Sequence, residues 1–298
     1  MLQRIIQVYN TLVPNKPFFS IVIPTLNEEK YLPLLLRDLK AQSNHDFEVL
    51  HCDGGSTDKT LERAAKFSKH FPLQSLTSTT QHVSAQRNMG IDAAAGEWVI
   101  FLDADTRIPS YFLDGIKYQI AKNSGKVGIF TTWCVAEGDD AFNRAFERLY
   151  NYGYEVNAKL GMESAPGACI GASRAVCKST RFDEKHRVYE DVFFVQAAVA
   201  SGFQFMIFHE PRFTFSMRRF RKEGVLKATQ AVTKTLFSFM QGDDFSQDDY
   251  GYVMKGGGYY DDSHVSVFEP MLQAIRNATE KQKAQIVELF KNLRDNDN

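Results

Sequence analysis

The strongest constraint on the fold is an alternation of short apolar runs with segments of helical periodicity. Apolar runs at 18–23, 47–52 and 97–102 have the length and composition of buried strands. Between them, the segment 28–41 carries leucines at helical spacing, and 83–95 is helical up to a glycine stop signal. Strands that alternate with helices in this way predict a mainly parallel sheet with helices on both faces, an α/β fold.

The remaining elements are less regular. The sequence predicts further helices over 111–121, 141–160 and 190–201, and further strands over 73–76, 127–135, 165–172, 203–208 and 212–216. Near the end of the chain, Ser266, Glu269 and Pro270 fit a capping box, so we expect an amphipathic helix in the tail.

Composition argues against several classes of protein. The 298 residues carry a formal net charge of -1, so no overall field attracts nucleic acid, and we expect no nucleic-acid partner. The apolar runs have strand length only, and the first residues lack the long apolar run of a signal peptide. The four cysteines are far apart and lack metal-ligand spacing, so we expect reduced thiols and a cytoplasmic protein.

Two carboxylates, Asp103 and Asp105, follow the apolar run at 97–102. Residues i and i+2 of a strand face the same way, so both side chains can converge on one point. Like charges repel there unless a cation joins them, and a hard divalent ion with oxygen ligands is the simplest one. For an isolated pair, the alternative is a turn or a helix cap.

Polar segments also follow the two earlier strands. The strand at 18–23 leads into Pro24–Glu28, and the strand at 47–52 leads into Asp53–Asp58. Because open α/β sheets bind ligands beyond the carboxyl ends of their strands, these segments predict a site beside the two carboxylates. The sequence lacks a P-loop and has no Gly-x-Gly-x-x-Gly after the first strand, so a site built from carboxylates and a metal remains.

Five ordered blocks of sequence carry a resemblance to a known family. They are Ser20–Glu28, Asp53–Asp58, Arg87–Glu97, Phe101–Asp105, and Gly167–Ala172 followed by Glu190–Asp191. Together they resemble family 2 glycosyltransferases, inverting nucleotide-sugar enzymes with a GT-A fold, over roughly residues 18–220. The resemblance implies a GT-A-like, Rossmann-type α/β fold with a mixed, mainly parallel sheet. The Gln-x-x-Arg-Trp motif of processive polymerising members is absent, which argues against that subgroup.

The resemblance also implies roles for individual residues. The nucleotide-binding residues would be Pro24, Asn27, Glu28, Asp53, Arg87, Asp103, Arg218 and Arg219. Asp105, together with Asp103, would bind the Mg²⁺ or Mn²⁺ ion that bridges the diphosphate. Asp191, with Glu190 beside it, would be the general base that takes the proton of the acceptor hydroxyl.

The implied reaction transfers a sugar from a UDP- or GDP-sugar to a hydroxyl of a glycan or a lipid-linked acceptor, with inversion. One alternative is a nucleotidyltransferase on a related scaffold, but such enzymes need a glycine- and lysine-rich loop where this chain has Pro24–Glu29. A second alternative is a non-catalytic protein that binds nucleotide-sugars.

The same resemblance suggests a division of the chain. We expect an N-terminal extension over 1–17 and a GT-A catalytic domain over 18–220. Within that domain, 18–110 would be the nucleotide-sugar-binding half and 111–220 the acceptor-binding half. Residues 221–298 carry no signature of the family, and their own sequence predicts a C-terminal helical appendage with a flexible loop and an amphipathic helix.

Several of these residues have simpler explanations. Glu190 and Asp191 begin a predicted helix, where acidic side chains favour the positive end of the dipole. Asp53 could only start a Gly-Gly turn. Arg218 and Arg219 could belong to a solvated basic face, or to a basic cluster that rests on an anionic bilayer at the inner face of the membrane.

Two further ideas concern the second half of the chain. His209 follows a predicted strand and is a candidate third metal ligand, although a lone histidine is more often structural. Four aromatic residues could stack an acceptor sugar or fill the core. These are Trp133, Tyr150, Tyr152 and Tyr154.

Overall fold

The structure is a computed structural model that describes residues 16–138, 141–186, 188–218 and 257. The chain divides into two compact units, one of Met1–Ser216 with Phe245–Tyr259 and one of Met217–Asp244 with Tyr260–Asn298. The elements below all belong to the first unit. Residues 1–15 of the expected N-terminal extension lie outside the described residues, and so does the expected C-terminal helix.

Seven strands and seven helices are present in the described ranges. The strands are β1 Phe19–Thr25, β2 Phe47–Asp53, β3 Leu73–Thr77, β4 Trp98–Leu102, β5 Ile129–Ala136, β6 Cys169–Ser173 and β7 Phe205–Phe215. The helices are α1 Leu32–Lys40, α2 Thr60–Ala65, α3 Val83–Ala93, α4 Phe112–Lys122, α5 Ala141–Lys159, α6 Arg174–Ser179 and α7 Glu190–Ala200. None of these helices is both long enough and apolar enough to cross a membrane.

The strands form one sheet in the order β3-β2-β1-β4-β6-β5-β7. Only β6 runs antiparallel to its neighbours β4 and β5, and the other pairs are parallel. The prediction of a mixed, mainly parallel sheet is therefore confirmed. Because six strands run in one direction, their carboxyl ends lie at one edge of the sheet, called the carboxyl edge below.

Alternation along the central strand explains the two apolar layers. Ile21 and Ile23 pack into one buried cluster, and Val22, between them, packs into the cluster on the opposite face. The first cluster contains buried leucines of α1 and apolar residues of α4, and the second contains residues of α3, α6 and α7. Helices thus cover both faces, as the sequence predicts.

A glycine sets the distance between α3 and the sheet. A Cβ atom at Gly90 would lie 2.4 Å from Cγ1 of Val22, well inside van der Waals contact. The glycine therefore lets the helix backbone approach β1 closely. This contact holds α3, and with it Gln86 and Arg87, against the carboxyl ends of the central strands.

The prediction of two late strands, at 203–208 and 212–216, is wrong, because β7 is one continuous strand. Its pairing with β5 shifts register between Thr132 and Cys134, so that 209–212 bulge opposite Trp133. The backbone N–H and C=O of Cys134 are satisfied there by the side-chain amide of Asn151 on α5, both at 2.9 Å. The bulge thus accommodates the polar residues that interrupt the apolar pattern.

Helix α1 is shorter than the predicted segment 28–41. Asn27 has a left-handed backbone with φ of 54°, and the N–H of Glu28 donates to Oγ1 of Thr60 at 2.8 Å. These residues belong to a loop held by distant partners, so the helix begins only at Leu32. The short helix α6 was not predicted.

Candidate functional site

A tight turn follows β2 at the carboxyl edge, and Asp53 organises it. Its carboxylate accepts hydrogen bonds from the N–H groups of Gly55 and Ser56 at 2.9 and 2.8 Å, and from the hydroxyls of Ser56 and Thr25 at 2.6 and 3.0 Å. Asp53 is fully buried. The turn therefore occupies the acceptor positions of this carboxylate, and the contact to a nucleotide base stays a prediction.

The loop after β1 is locked to the same turn. The N–H of Asn27 donates to Oγ of Ser56, and the Oδ1 atom of Asn27 accepts from the N–H of Thr57, both at 2.8 Å. Pro24 lies within β1, paired with Cys52, and the Glu28 side chain is 7% exposed. The structure thus brings Pro24, Asn27, Glu28 and Asp53 together at one place.

Gln86 supports both segments and was missed by the sequence reasoning. Its buried side-chain amide donates to the backbone carbonyls of Thr25 and Cys52, both at 2.7 Å. It thereby ties the ends of β1 and β2 to α3. No local pattern indicates this role, because both partners lie far away in the sequence.

Asp103 and Asp105 form a turn directly after β4. The N–H of Thr106 donates to the carbonyl of Asp103 at 3.0 Å, and its hydroxyl donates to the carbonyl of Ala168 at 3.1 Å. The Asp103 side chain is 38% exposed. Partial burial, with the nearby charges of Asp105 and Glu190, raises the pKa of Asp103, while Arg87 opposes that rise.

Arg87 lies on α3 and joins this turn to the acidic start of α7. Its guanidinium donates to Glu190 at 2.8 Å, to Asp103 at 3.1 Å and to the carbonyl of Gly167 at 3.3 Å. Burial opposes its charge, but the carboxylates of Asp103, Glu190 and Asp191 raise the pKa of Arg87 above its ordinary value. Arg87 is therefore a permanent cation among three acidic side chains.

Asp191 is held at the first turn of α7. Its Oδ2 atom accepts from the N–H of Gly167 at 2.7 Å, and its Oδ1 atom accepts from the N–H of Val192 at 2.8 Å. Because β6 is antiparallel, the segment before it, with Gly167, lies at the carboxyl edge beside Asp103. Burial and the charge of Glu190 raise the pKa of Asp191 to about 7, against Arg87 and the two backbone hydrogen bonds.

The preceding residue, Tyr189, has a left-handed backbone with φ of 62°. This conformation is uncommon for a non-glycine residue, and residues that adopt it cluster at active sites and ligand-binding segments. It turns the chain into α7 so that Glu190 meets Arg87 and Asp191 meets Gly167.

The aromatic candidates fall into two groups. Tyr150 and Tyr154 pack edge to face on α5 with ring centroids 5.0 Å apart, and Asp191 contributes to raising the pKa of both. Trp133 instead stacks on His209 at 4.0 Å, and Tyr152 packs against Trp133 edge to face at 5.5 Å. The first group therefore lies near the acidic residues of α7.

His209 also has a polar partner in its aromatic group. Its Nε2 atom lies 2.9 Å from Oε1 of Glu155, which also accepts from the indole N–H of Trp133. In the described ranges, no cluster of three or more His, Cys, Asp or Glu side chains could hold a metal ion, so no such cluster includes His209.

The acidic turn fits a hard divalent cation. Asp103 and Asp105 offer carboxylate oxygens, which Mg²⁺ and Mn²⁺ prefer. Mg²⁺ is usually held by one or two protein carboxylates, with phosphate and water oxygens as the other ligands. Two aspartates therefore suit an ion that arrives with a diphosphate, and they do not suit a permanent structural metal.

Two arginines, Arg218 and Arg219, follow β7. Arg218 is buried, and it belongs to the second compact unit. Arg219 lies outside the described residues. Their nucleotide-binding role stays a prediction.

The sheet order, the helices on both faces and the acidic turn beyond β4 define a protein of the GT-A class. The chain belongs to glycosyl transferase family 2, whose sequence model matches residues 20–181. The family resemblance predicted from the sequence is therefore confirmed.

Two curated relatives match a limited part of the chain. A PGL/p-HBAD biosynthesis glycosyltransferase of Mycobacterium bovis is 43% identical over 91 residues, which are 30% of this chain and 36% of that protein. The poly(ribitol-phosphate) beta-N-acetylglucosaminyltransferase TarS of Staphylococcus aureus is 36% identical over 94 residues, or 30% of this chain and 16% of that protein. The match spans little more than a third of the length of the first of these relatives.

Solved structures share the fold at low sequence identity. A crystal structure of S. aureus TarS 1–349 with UDP-GlcNAc has a TM-score of 0.56 and 22% identity, covering 66% of this chain and 58% of that one. The mannosyltransferase PcManGT of Pyrobaculum calidifontis, with GDP-Man and Mn²⁺, has a TM-score of 0.53 and 18% identity, covering 67% and 57%. These similarities confirm the predicted GT-A fold.

Proposed function

We propose that this chain is an inverting glycosyltransferase that moves a sugar from a UDP- or GDP-sugar to a hydroxyl of a glycan or a lipid-linked acceptor. The observation that carries the proposal is the meeting of two acidic groups at the carboxyl edge. The Asp103–Asp105 turn and the Glu190–Asp191 pair are both acidic, and Arg87 bridges them with contacts of 3.1 and 2.8 Å.

The first acidic group suits the donor. A nucleoside diphosphate leaves as charge grows on its phosphate oxygens, and Mg²⁺ or Mn²⁺ bound by Asp105 and Asp103 would stabilise that charge. Relatives in fold bind UDP-GlcNAc, UDP and GDP-Man, which supports a nucleotide-sugar as the donor class. Pro24, Asn27, Glu28 and Asp53 would border the nucleotide.

The second acidic group suits the acceptor. A hydroxyl is a weak nucleophile, so a carboxylate must take its proton as it attacks. Asp191 has a pKa raised by burial to about 7, which is close to the optimum for a general base near neutral pH. Single displacement needs base and leaving group on opposite faces of the sugar, so Asp191 acts from the side away from the metal.

We further propose that residues 18–110 bind the donor and 111–220 bind the acceptor, with 221–298 as an appendage. The acceptor would lie between α7 and the aromatic residues Tyr150 and Tyr154. A peripheral contact between the basic residues after β7 and an anionic membrane would give the enzyme access to a lipid-linked acceptor.

The test uses the purified chain with UDP and GDP, each with and without Mn²⁺. The matching diphosphate raises the melting temperature only with the metal, since about 100-fold ligand excess over Kd adds about 2.7 kcal/mol. Asp105→Ala removes the metal-dependent part of this shift. Asp92→Ala is the matched control, because Asp92 is 69% exposed and forms an ion pair with Arg181 at the surface.

The contrary result is an absence of any shift with either diphosphate in Mn²⁺ or Mg²⁺. If a diphosphate does raise the melting temperature, UDP-GlcNAc or GDP-mannose serves as the substrate in an assay for release of the diphosphate. This assay separates an active transferase from a protein that only binds nucleotide-sugars.

A further inference from the structure

Arg87 is 2% exposed, although it carries a permanent charge at the candidate site. A residue that grips a diphosphate must present its guanidinium to the space that the ligand fills. Arg87 instead directs its terminal nitrogens at the protein, toward Glu190, Asp103 and the carbonyl of Gly167. These three partners lie on three different segments of the chain.

The flat face of the Arg87 guanidinium also packs against an aromatic ring. Its central carbon lies 5.3 Å above the ring of Phe182, and Phe182 stacks on Phe194 of α7 with centroids 4.0 Å apart and planes at 9°. The packing therefore orients the fork of N–H groups before any ligand binds. Helix α7 contacts Arg87 directly through Glu190 and indirectly through Phe194.

We propose that Arg87 is a positioning residue that holds the acidic start of α7 at a fixed place relative to the metal-binding turn, and that it does not contact the donor. This proposal rests on the proposed function and replaces the nucleotide-binding role that the family resemblance implies for Arg87. The Arg87 side chain would thus set the distance between Asp191, the proposed base, and the Asp103–Asp105 turn that would bind the metal.

The chemistry explains why arginine stands here. A planar guanidinium can donate to two carboxylates and a carbonyl at once from fixed directions, whereas a lysine ammonium is a point charge on a flexible stem. Positioning matters because small displacements of a reacting group reduce the rate strongly, even when ligands still bind. The proposal therefore predicts a loss in kcat without a matching loss in donor affinity.

The test compares Arg87→Gln and Arg87→Lys with wild type. Arg181→Gln is the control, because Arg181 forms an exposed ion pair with Asp92 at 2.8 Å. The measurements are the Kd of UDP or GDP with saturating Mn²⁺, and the kcat and KM for release of diphosphate from UDP-GlcNAc or GDP-mannose. The uridine or the guanosine nucleotides are used, according to whether UDP or GDP stabilises the wild type.

Both Arg87 variants are expected to keep Kd within about threefold of wild type while kcat falls about 100-fold. Lysine keeps the charge but loses the fork, so it does not restore kcat. A rise in Kd of about tenfold or more in Arg87→Gln overturns the proposal, because Arg87 would then bind the nucleotide. Unchanged kcat in both variants overturns it as well.

If Arg87→Gln does not fold, the double variant Arg87→Met/Glu190→Gln removes the cation together with its nearest anion. Metal-dependent binding of the diphosphate in this variant supports the proposal, and its loss in a folded protein overturns it. If wild type itself binds neither diphosphate, the proposed function fails first, so the two failures are distinguishable.

Discussion

Asp191 has its two carboxylate oxygens fixed by backbone hydrogen bonds, while its surroundings disfavour its charge. Burial and Glu190 raise its pKa, and Arg87 and the N–H groups of Gly167 and Val192 lower it. The balance leaves an oriented carboxylate that binds a proton much more readily than an ordinary aspartate. A general base needs this combination of fixed direction and raised basicity.

Asp191→Asn is expected to keep metal-dependent donor binding and to lose transfer by roughly 100- to 10,000-fold, because the amide cannot take a proton. In the wild type, kcat/KM for transfer rises with pH through about 7, since only the deprotonated base is active. The measurement is a pH–rate profile at saturating Mn²⁺. Equal loss of donor binding and transfer in the variant would remove Asp191 as the base.

The same pKa gives a check that needs no acceptor. The folded protein holds the Asp191 proton up to about pH 7, and an unfolded aspartate releases it near pH 4. Stability from this group is therefore present at low pH and falls as pH rises between these values, by at most about 1.4 kcal/mol per pH unit. Relative to Asp191→Asn, the wild type should lose stability across this range in denaturant titrations.

At the scale of elements, two glycines in helices have opposite surroundings. Gly90 on α3 faces Val22 and Cys52, and an added Cβ would lie 2.4 Å from the valine methyl carbon Cγ1. Gly153 on α5 has no atom within 4 Å of an added Cβ. Replacement of each glycine by alanine therefore separates the effect of helix propensity from the effect of packing against the sheet.

Gly90→Ala is expected to lower the free energy of unfolding by about 1–3 kcal/mol, because overpacking outweighs the gain in helix propensity. Gly153→Ala is expected to raise it by about 0.5–1 kcal/mol, because only propensity changes there. Urea titration of both variants measures the difference. A stabilised Gly90→Ala would show that α3 can move away from β1 without cost.

The elements themselves differ in how well the sequence predicts them. Strands β1, β2 and β4 are apolar runs bounded by polar turns, so local pattern located them. The sequence does not show that β7 is continuous, because the bulge at 209–212 lies opposite β5, where Asn151 of the distant helix α5 bonds the backbone of Cys134.

The candidate site is likewise only partly predictable from local sequence. The acidic residues could be found from motif and position, but the contact of Arg87 with Glu190 joins residues 103 positions apart. A contact between residues so far apart leaves no pattern in the local sequence. The antiparallel direction of β6, which brings Gly167 to the site, likewise follows only from the three-dimensional pairing.

At the scale of the whole molecule, the two proposed halves share one sheet. Strand β4, from the first half, pairs with β6, from the second, along its full length from Trp98↔Ser173 to Leu102↔Cys169. Arg87 adds an ionic bridge between the halves at the carboxyl edge. A sheet that is continuous through both halves predicts one cooperative unfolding unit and not two.

The two tryptophans of the chain report on the two halves separately, because Trp98 lies in β4 and Trp133 lies in β5. In Trp98→Phe and Trp133→Phe, each remaining tryptophan follows thermal unfolding of its own half by fluorescence. UDP or GDP with Mn²⁺ is expected to raise both midpoints by the same number of degrees, although the diphosphate would contact only the first half, because ligand binding stabilises the whole cooperative unit. A shift confined to the Trp98 signal would mean that the halves unfold independently, and that the β4–β6 pairing does not couple donor binding to the acceptor side.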